Sequence, residues 1–167
     1  IRTTASQIIT VGSGGLSLTG GSGSSLGNYA LVQAAGAAGT SQTITVNGGG
    51  SMILHGGSST QTNVGNDVNG NLNGSFTTVT ASGDTQQINF SSGGAISMTA
   101  GLFGSGNRAL ISSSAANSTQ TITGSPNVTM TAGAVGFTGE GNSAQILATT
   151  GTQTLTLGTV QMNGGSG

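Results

Sequence analysis

A short phrase returns five times along the chain: a glutamine, then alternating polar and aliphatic residues, then a glycine-rich turn. The five glutamines are Gln7, Gln42, Gln86, Gln120 and Gln153. Their spacings are 35 (7 to 42), 44 (42 to 86), 34 (86 to 120) and 33 (120 to 153) residues. A period of roughly 20–50 residues is the signature of a repeat architecture. Each phrase is therefore predicted to occupy the same place in successive structural units.

A second motif, Gly-Asn followed two residues later by Ala, keeps a constant distance from the first. Its asparagines, Asn28, Asn107 and Asn142, follow the preceding glutamines by 21 (7 to 28), 21 (86 to 107) and 22 (120 to 142) residues. After Gln42 the candidate match is Asn73, which is 31 residues on (42 to 73). This excess predicts an insertion of about ten residues, placed in the polar stretch Ser58–Asn71 and interpreted as a loop.

Each unit contains three short segments in which apolar and polar residues alternate between Gly, Ser and Asn. Examples are QTITV from Gln42, SMILH from Ser51 and NRALISSS from Asn107. Alternation over such lengths predicts half-buried strands, and no window shows a helical period. The sequence therefore predicts an all-β, parallel β-solenoid (a β-helix) with about 33–35 residues and three strands per coil.

The whole chain, residues 1–167, is predicted to form a single solenoid domain. Its coils begin near residues 7, 42, 86, 120 and 153, and residues 1–6 are the end of a preceding coil. A β-sandwich is the second-ranked fold, because a sandwich would not require the same phrase to recur in register. Disorder is opposed by the low charge and by the short alternating apolar runs.

The glutamines are predicted to point into the solenoid. In a strand, Gln42 shares a face with Ile44 and Val46, because side chains alternate between faces. A buried amide is costly unless it is hydrogen-bonded. Stacked in register, each of the five glutamines can donate to the amide oxygen of a neighbouring coil, as in the Asn/Gln ladders of cross-β assemblies. The same alternation between strand faces predicts a second inward ladder of Asn28, Asn107 and Asn142.

The apolar residues of the segments form further inward columns when the phrases are aligned. Methionines share these columns with leucines, which predicts a role as core filler rather than as metal ligands. The columns are Ile44, Ile88, Ile122 and Leu155; Leu16, Met52, Ile96, Val128 and Val160; and Leu18, Leu54, Met98, Met130 and Met162.

Charged residues are almost absent from the chain, and this absence excludes two classes of partner. Only 3% of the residues are charged, lysine does not occur, and the basic residues are Arg2 and Arg108. Nucleic-acid binding and electrostatic binding to anionic lipid both need clustered basic residues. No apolar run approaches the roughly 18–20 residues of a membrane span. We expect neither a nucleic-acid partner nor membrane insertion.

The sequence offers no catalytic, cofactor-binding or metal-ligating constellation. Cysteine is absent, and the only histidine, His55, is expected at a solvated strand end. Asp67, Asp84 and Glu140 are the only acids, and all three are expected in solvated loops or turns. An enzyme needs a positioned nucleophile, base or metal. We therefore predict that the protein is not an enzyme and needs no cofactor.

The two ends of the chain carry matching parts of the repeat. The opening from Ile1 is similar to the stretch that begins at Ile146, so the chain starts with the end of a third segment. It closes after a second segment, near Met162. We expect the strand edges at both ends to pair, either with copies stacked head to tail or with adjoining repeats of a longer chain.

The phrases QTITV, GGLSLTGG and GNRALISSS resemble repeats of large secreted bacterial β-solenoids of the filamentous haemagglutinin type. The inward Gln and the Gly-Asn-x-Ala element also resemble curli repeats, although those have two strands per unit rather than three. Both resemblances imply bacterial, extracellular or cell-surface fibres that act in adhesion or in a biofilm matrix.

The leading functional hypothesis is a structural extracellular filament, amyloid-like in its amide ladders, or an adhesin module. One alternative is a carbohydrate-binding surface, on host or other surface glycans, that uses Tyr29, Phe76, Phe103 and Phe137. Another is ice binding through outward Thr-x-Thr ranks at 43/45, 121/123 and 154/156, which the pairs 87/89 and 8/10 interrupt.

Overall fold

The computed structural model describes residues 1–22, 28–57, 75–101, 106–133 and 142–165. These ranges contain fifteen β-strands and no helix. The strands form three sheets of five, and every neighbouring pair of strands is parallel. The predicted parallel β-solenoid is confirmed.

Each coil contributes one strand to each sheet, in the repeating order sheet A, sheet B, sheet C. Sheet A contains β1 (Arg2–Thr3), β4 (Tyr29–Ala34), β7 (Phe76–Ala81), β10 (Arg108–Ser113) and β13 (Ser143–Ala148). Sheet B contains β2 (Gln7–Val11), β5 (Ser41–Val46), β8 (Thr85–Phe90), β11 (Thr119–Thr123) and β14 (Thr152–Leu155). Sheet C contains β3 (Leu16–Thr19), β6 (Ser51–His55), β9 (Ala95–Thr99), β12 (Asn127–Thr131) and β15 (Val160–Asn163).

The strands of sheet B show why these sequences form this fold. In β5, side chains are alternately buried and half-buried, which follows the alternation of Gln, Ile and Val with Ser and Thr. The turn into β6 passes through Gly48 and Gly49, whose φ angles of 62° and 71° lie in the left-handed region that glycine adopts at least cost. Strand pattern and turn chemistry therefore agree on the same coil boundaries.

Equivalent residues stack directly above one another through the core. Ile44 pairs with Ile88, which pairs with Ile122, and all three side chains are fully buried. The columns of sheet C are also in register, so that Met52, Ile96 and Val128 follow one another. Met98 is fully buried in the neighbouring column between Leu54 and Met130. The core is thus a set of aliphatic and methionine columns parallel to the solenoid axis.

A column of glycines follows sheet C and lets successive coils approach closely. A Cβ atom on Gly57, Gly101, Gly133 or Gly165 would lie 1.9–2.0 Å from the carbonyl oxygen of the equivalent glycine one coil earlier. No side chain fits in that space, because real Cβ contacts are longer than about 3 Å. Its sequence signal is the Gly-Gly or Ala-Gly pair that ends each second segment, a column that was not among those predicted.

The register of sheet A corrects the alignment of the long coil. Phe76 pairs with Arg108, so Ser75, and not Asn73, occupies the place of Asn107. The distance from Gln42 is then 33 residues (42 to 75), which exceeds the usual 21 by twelve rather than by about ten. The predicted loop Ser58–Asn71 and Asn73 itself lie outside the described residues. The misalignment arose because a serine carries no sequence signal for an asparagine column.

No helix in the described part of the chain is long and apolar enough to cross a membrane.

Candidate functional site

The five glutamines of sheet B stack in register along the inside of the solenoid. Gln42, Gln86 and Gln120 are fully buried, and Gln7 is 6% exposed. In each step the Nε2 of one glutamine donates to the Oε1 of the glutamine one coil earlier. The distances are 2.9 Å (42 to 7), 2.8 Å (86 to 42), 2.7 Å (120 to 86) and 2.5 Å (153 to 120).

Each glutamine also joins sheet B to sheet A. The second N–H of Gln42 donates to the main-chain oxygen of Thr80 at 3.0 Å, and that of Gln86 donates to Val79 at 3.3 Å. Gln120 bonds Leu147 in the same way at 3.2 Å. Both amide hydrogens of Gln42, Gln86 and Gln120 are therefore used, which removes the penalty of burying a polar group without a partner.

The ladder has a direction, and this makes the two ends of the solenoid different. In all four steps the Nε2 donates toward the N-terminal coil, and the Oε1 accepts from the C-terminal side. At the N-terminal end no glutamine lies beneath Gln7, whose Nε2 makes only a 3.4 Å bond to the main-chain oxygen of Gln33 among the described residues. At the other end no glutamine lies above Gln153 to donate to its Oε1.

The C-terminal end exposes residues that are core elsewhere. Leu155 is 38% exposed, Val160 49% and Met162 74%. Their equivalents two coils earlier, Ile88 and Met98 among them, are fully buried. We define the C-face as the edge formed by β13, β14 and β15 with these side chains, and the N-face as the opposite edge formed by β1, β2 and β3.

The asparagines form a second series with a different bonding pattern. The Oδ1 of Asn107 accepts from the main-chain N–H of Ser75 at 2.8 Å, and the Oδ1 of Asn142 accepts from that of Asn107 at 2.9 Å. Asn107 and Asn142 are buried, whereas Asn28 is half-buried. These side chains thus link the start of one sheet A strand to the start of the strand one coil earlier.

Two buried hydroxyls near the start of β7 have no hydrogen-bond partner among the described residues. They belong to Thr77 and to Ser75, which occupies the place that Asn107 has in the next coil. Thr77 is fully buried in a column with Ala30 and Ala109, whose side chains offer no hydrogen-bonding group. The start of β7 is therefore a place where buried hydroxyl groups are poorly satisfied.

Replacing Thr77 with valine is expected to raise the free energy of unfolding by about 1 kcal/mol, because a methyl group takes the place of a buried hydroxyl without a partner. Thr78→Val, on the outer face of the same strand, is the matched control. Its Oγ1 shares a hydrogen bond with Thr80, so we expect no gain there. Chemical denaturation measures both; equal effects would contradict the account of the core hydroxyl.

Within the part of the chain that the structure describes, the reactive side chains do not converge. His55 is exposed at the end of β6, and Asp84 is exposed in a turn, where its carboxylate accepts from the main-chain N–H of Gly39 at 2.8 Å. Asp67 and Glu140 lie outside the described residues. Within the described ranges no group of three or more His, Asp or Glu residues could hold a metal ion.

The aromatic residues proposed for glycan stacking have unequal access to solvent. Tyr29 and Phe76 stack with ring centroids 5.2 Å apart and 9° between their planes. Tyr29 is 49% exposed, but Phe76 is only 4% exposed. Phe103 and Phe137 lie outside the described residues. A platform of exposed rings is not present among the residues described.

The outer face of sheet B carries columns of hydroxyl groups. Thr43 pairs with Gln87, which pairs with Thr121 and then with Thr154. A parallel column runs through Thr10, Thr45, Asn89 and Thr123, in which the Thr123 hydroxyl donates to Asn89 at 2.9 Å. The face has no charged residue.

The fold places the chain in the class of parallel β-solenoid repeat proteins. Neither the protein-family models nor the curated proteins nor the solved structures compared with the chain match it.

Proposed function

We propose that this chain is a structural β-solenoid module that assembles through its end faces into an extracellular filament or a surface adhesin. The observation that carries the proposal is the exposure of core residues and of a glutamine amide at the C-face. A coil placed against that face would cover Leu155, Val160 and Met162. It would also satisfy the edge groups of β14 and β15, which template association when they are left open.

The composition supports a structural role. Stability in this fold comes from stacking coil on coil, and a nearly uncharged chain offers little repulsion between copies. Adjoining repeats of a longer chain would cover the same face as a second copy does. The resemblance to filamentous-haemagglutinin-type and curli repeats favours a bacterial, cell-surface or biofilm-matrix setting for either arrangement.

The assembled material is expected to consist of fibres in which the solenoid axis is the fibre axis. The strands then lie across the fibre, and diffraction along the axis should give a reflection near 4.8 Å. Each copy adds five strands to each sheet and so about 24 Å to the fibre, which gives a fibre one molecule wide a mass per length of about 15.9 kDa per 24 Å.

Electron microscopy with mass-per-length measurement tests this proposal. Uniform fibres at that mass per length, or at a small multiple of it for bundled fibres, support it. A chain that stays monomeric in light scattering at millimolar concentration contradicts it. Glycan-array binding without assembly would instead favour the carbohydrate-binding alternative.

The hydroxyl columns of sheet B support ice binding as a second candidate function. Nine of the outward positions in this sheet are threonines, spaced about 4.8 Å between strands and about 6.7 Å along them. Ile8, Gln87 and Asn89 interrupt the array. Thermal hysteresis that Thr121→Lys abolishes would support this function, and its absence in the intact protein would remove it.

A further inference from the structure

We infer that the N-face and the C-face are complementary and that neither is complementary to itself, so that copies of this chain join only head to tail. The inference rests on the proposed end-to-end assembly and adds its polarity. The partner of each face is the opposite face of a second copy.

The first argument is the direction of the amide ladder. The C-face presents the Oε1 of Gln153, an acceptor, and the N-face presents the Nε2 of Gln7, a donor. Placed head to tail, Gln7 of one copy continues the pattern that already joins Gln42 to Gln7 within the chain. Two C-faces would bring two acceptors together, and two N-faces would bring two donors together. Each leaves buried amide groups unpaired.

The second argument is the direction of the strands. Head-to-tail contact places β14 of one copy beside β2 of the next as a parallel pair, which is the only kind of pairing in the described sheets. Contact between two like faces would reverse one copy and make the pairs antiparallel. The inward columns would then no longer coincide, because their register follows from parallel stacking.

The main-chain edges identify residues at which one face can be blocked alone. The main-chain oxygen of Val11 accepts from the N–H of Asn47 in the next coil. In a parallel sheet, the main-chain N–H and C=O of one residue point toward one neighbouring strand, and those of the following residue point toward the other. The N–H of Ile8 therefore points out of the N-face. At the other end, the N–H groups of Thr152 and Thr156 donate to the preceding coil, so that of Leu155 points out of the C-face.

The test uses two proline variants, since proline removes an edge N–H and obstructs an incoming strand. Ile8→Pro blocks the N-face, and Leu155→Pro blocks the C-face. Both change an exposed aliphatic residue in sheet B whose N–H bonds no other coil within the chain. Circular dichroism checks that each variant is folded, and sedimentation velocity measures the assembled species.

We expect each variant alone to be monomeric and a 1:1 mixture to form dimers that contain one copy of each. A variant that dimerises alone, while the unmodified chain forms fibres, would overturn the polarity and leave end-to-end assembly intact. A mixture that stays monomeric while the unmodified chain assembles would also overturn the inference. An unmodified chain that never assembles would overturn the proposed function together with the polarity.

A second variant tests the amide argument without proline. Gln7→Glu keeps an acceptor oxygen for Gln42 but removes the Nε2 donor that the N-face presents. We expect association to be at least about tenfold weaker at pH 7, which is the effect of losing roughly one hydrogen bond to a buried amide. The exposed neighbour variant Ile8→Gln is the control for a polar change at the same edge. Association unchanged by Gln7→Glu would overturn the role given to the amide.

Discussion

Gln86→Glu is expected to lower the free energy of unfolding by about 3–5 kcal/mol at pH 7, the cost of an uncompensated buried charge. Gln86 is fully buried; it donates to Gln42 and accepts from Gln120. A carboxylate keeps the acceptor but loses both N–H donors, and it faces the Oε1 of Gln42 at hydrogen-bonding distance. The ladder would therefore be broken at its centre and would carry a charge without a partner.

The next residue provides a matched control. Gln87 lies in the same strand, β8, but its side chain is on the outer face and exposed. Gln87→Glu makes the same chemical change one residue away, and we expect an effect within about 0.5 kcal/mol, as for most surface substitutions. Chemical denaturation of both variants at one protein concentration gives the comparison. Similar losses at the two positions would contradict a buried ladder.

The Gln86→Glu variant should also gain a pH dependence. Burial raises the pKa of the new carboxyl above its ordinary value of about 4.3. The protonated carboxyl is buried without the cost of a charge, and its O–H can donate to the Oε1 of Gln42. Its stability relative to the unmodified chain should therefore recover below about pH 4 and be lost as the pH rises through the folded-state pKa. The same pH series on the unmodified chain, which has three acidic residues and one histidine, is the control.

Gly101→Ala is expected to destabilise the protein by about 3 kcal/mol or more, at the upper end of overpacking effects. The added Cβ would lie 1.9 Å from the carbonyl oxygen of Gly57 and 2.9 Å from the Cβ of Asn107. Neither neighbour is the end of a flexible side chain, so the coils themselves must separate. This would lengthen the hydrogen bonds between coils on both sides.

Gly14→Ala is the control for the glycine column. A Cβ at Gly14 would meet nothing within 4 Å, and the residue is exposed in the turn before β3. We expect a change within about 0.5 kcal/mol there. Thermal and chemical denaturation of both variants test the difference. A Gly101→Ala variant as stable as the unmodified chain would contradict the close approach of coils.

The sequence predicted the solenoid and the register of sheet B because two motifs kept one spacing. With Gln42 and Ile44 on one face of a strand, a constant spacing leaves only in-register stacking as a way to bury both. The apolar columns of sheet C followed from the same alignment, including the methionines that share them with leucine. These features depend on periodicity alone, which a single sequence displays.

Features that depend on contacts between coils were harder to predict. The place of Ser75 in the asparagine series could not be recognised, because its position is fixed by the pairing of Phe76 with Arg108 and not by residue type. The outer face of β7 is another case. Phe76, Thr78 and Thr80 are all buried, although their parity points them outward. Alternation in a sequence specifies faces, but it does not specify what covers them.

Hydrogen exchange of the glutamine side-chain amides, followed residue by residue by NMR, tests the ladder most directly. The side-chain N–H groups of Gln42, Gln86 and Gln120 should exchange orders of magnitude more slowly than those of exposed Gln87. If the amide of Gln86 exchanges as fast as that of Gln87, the stacked ladder does not exist in solution.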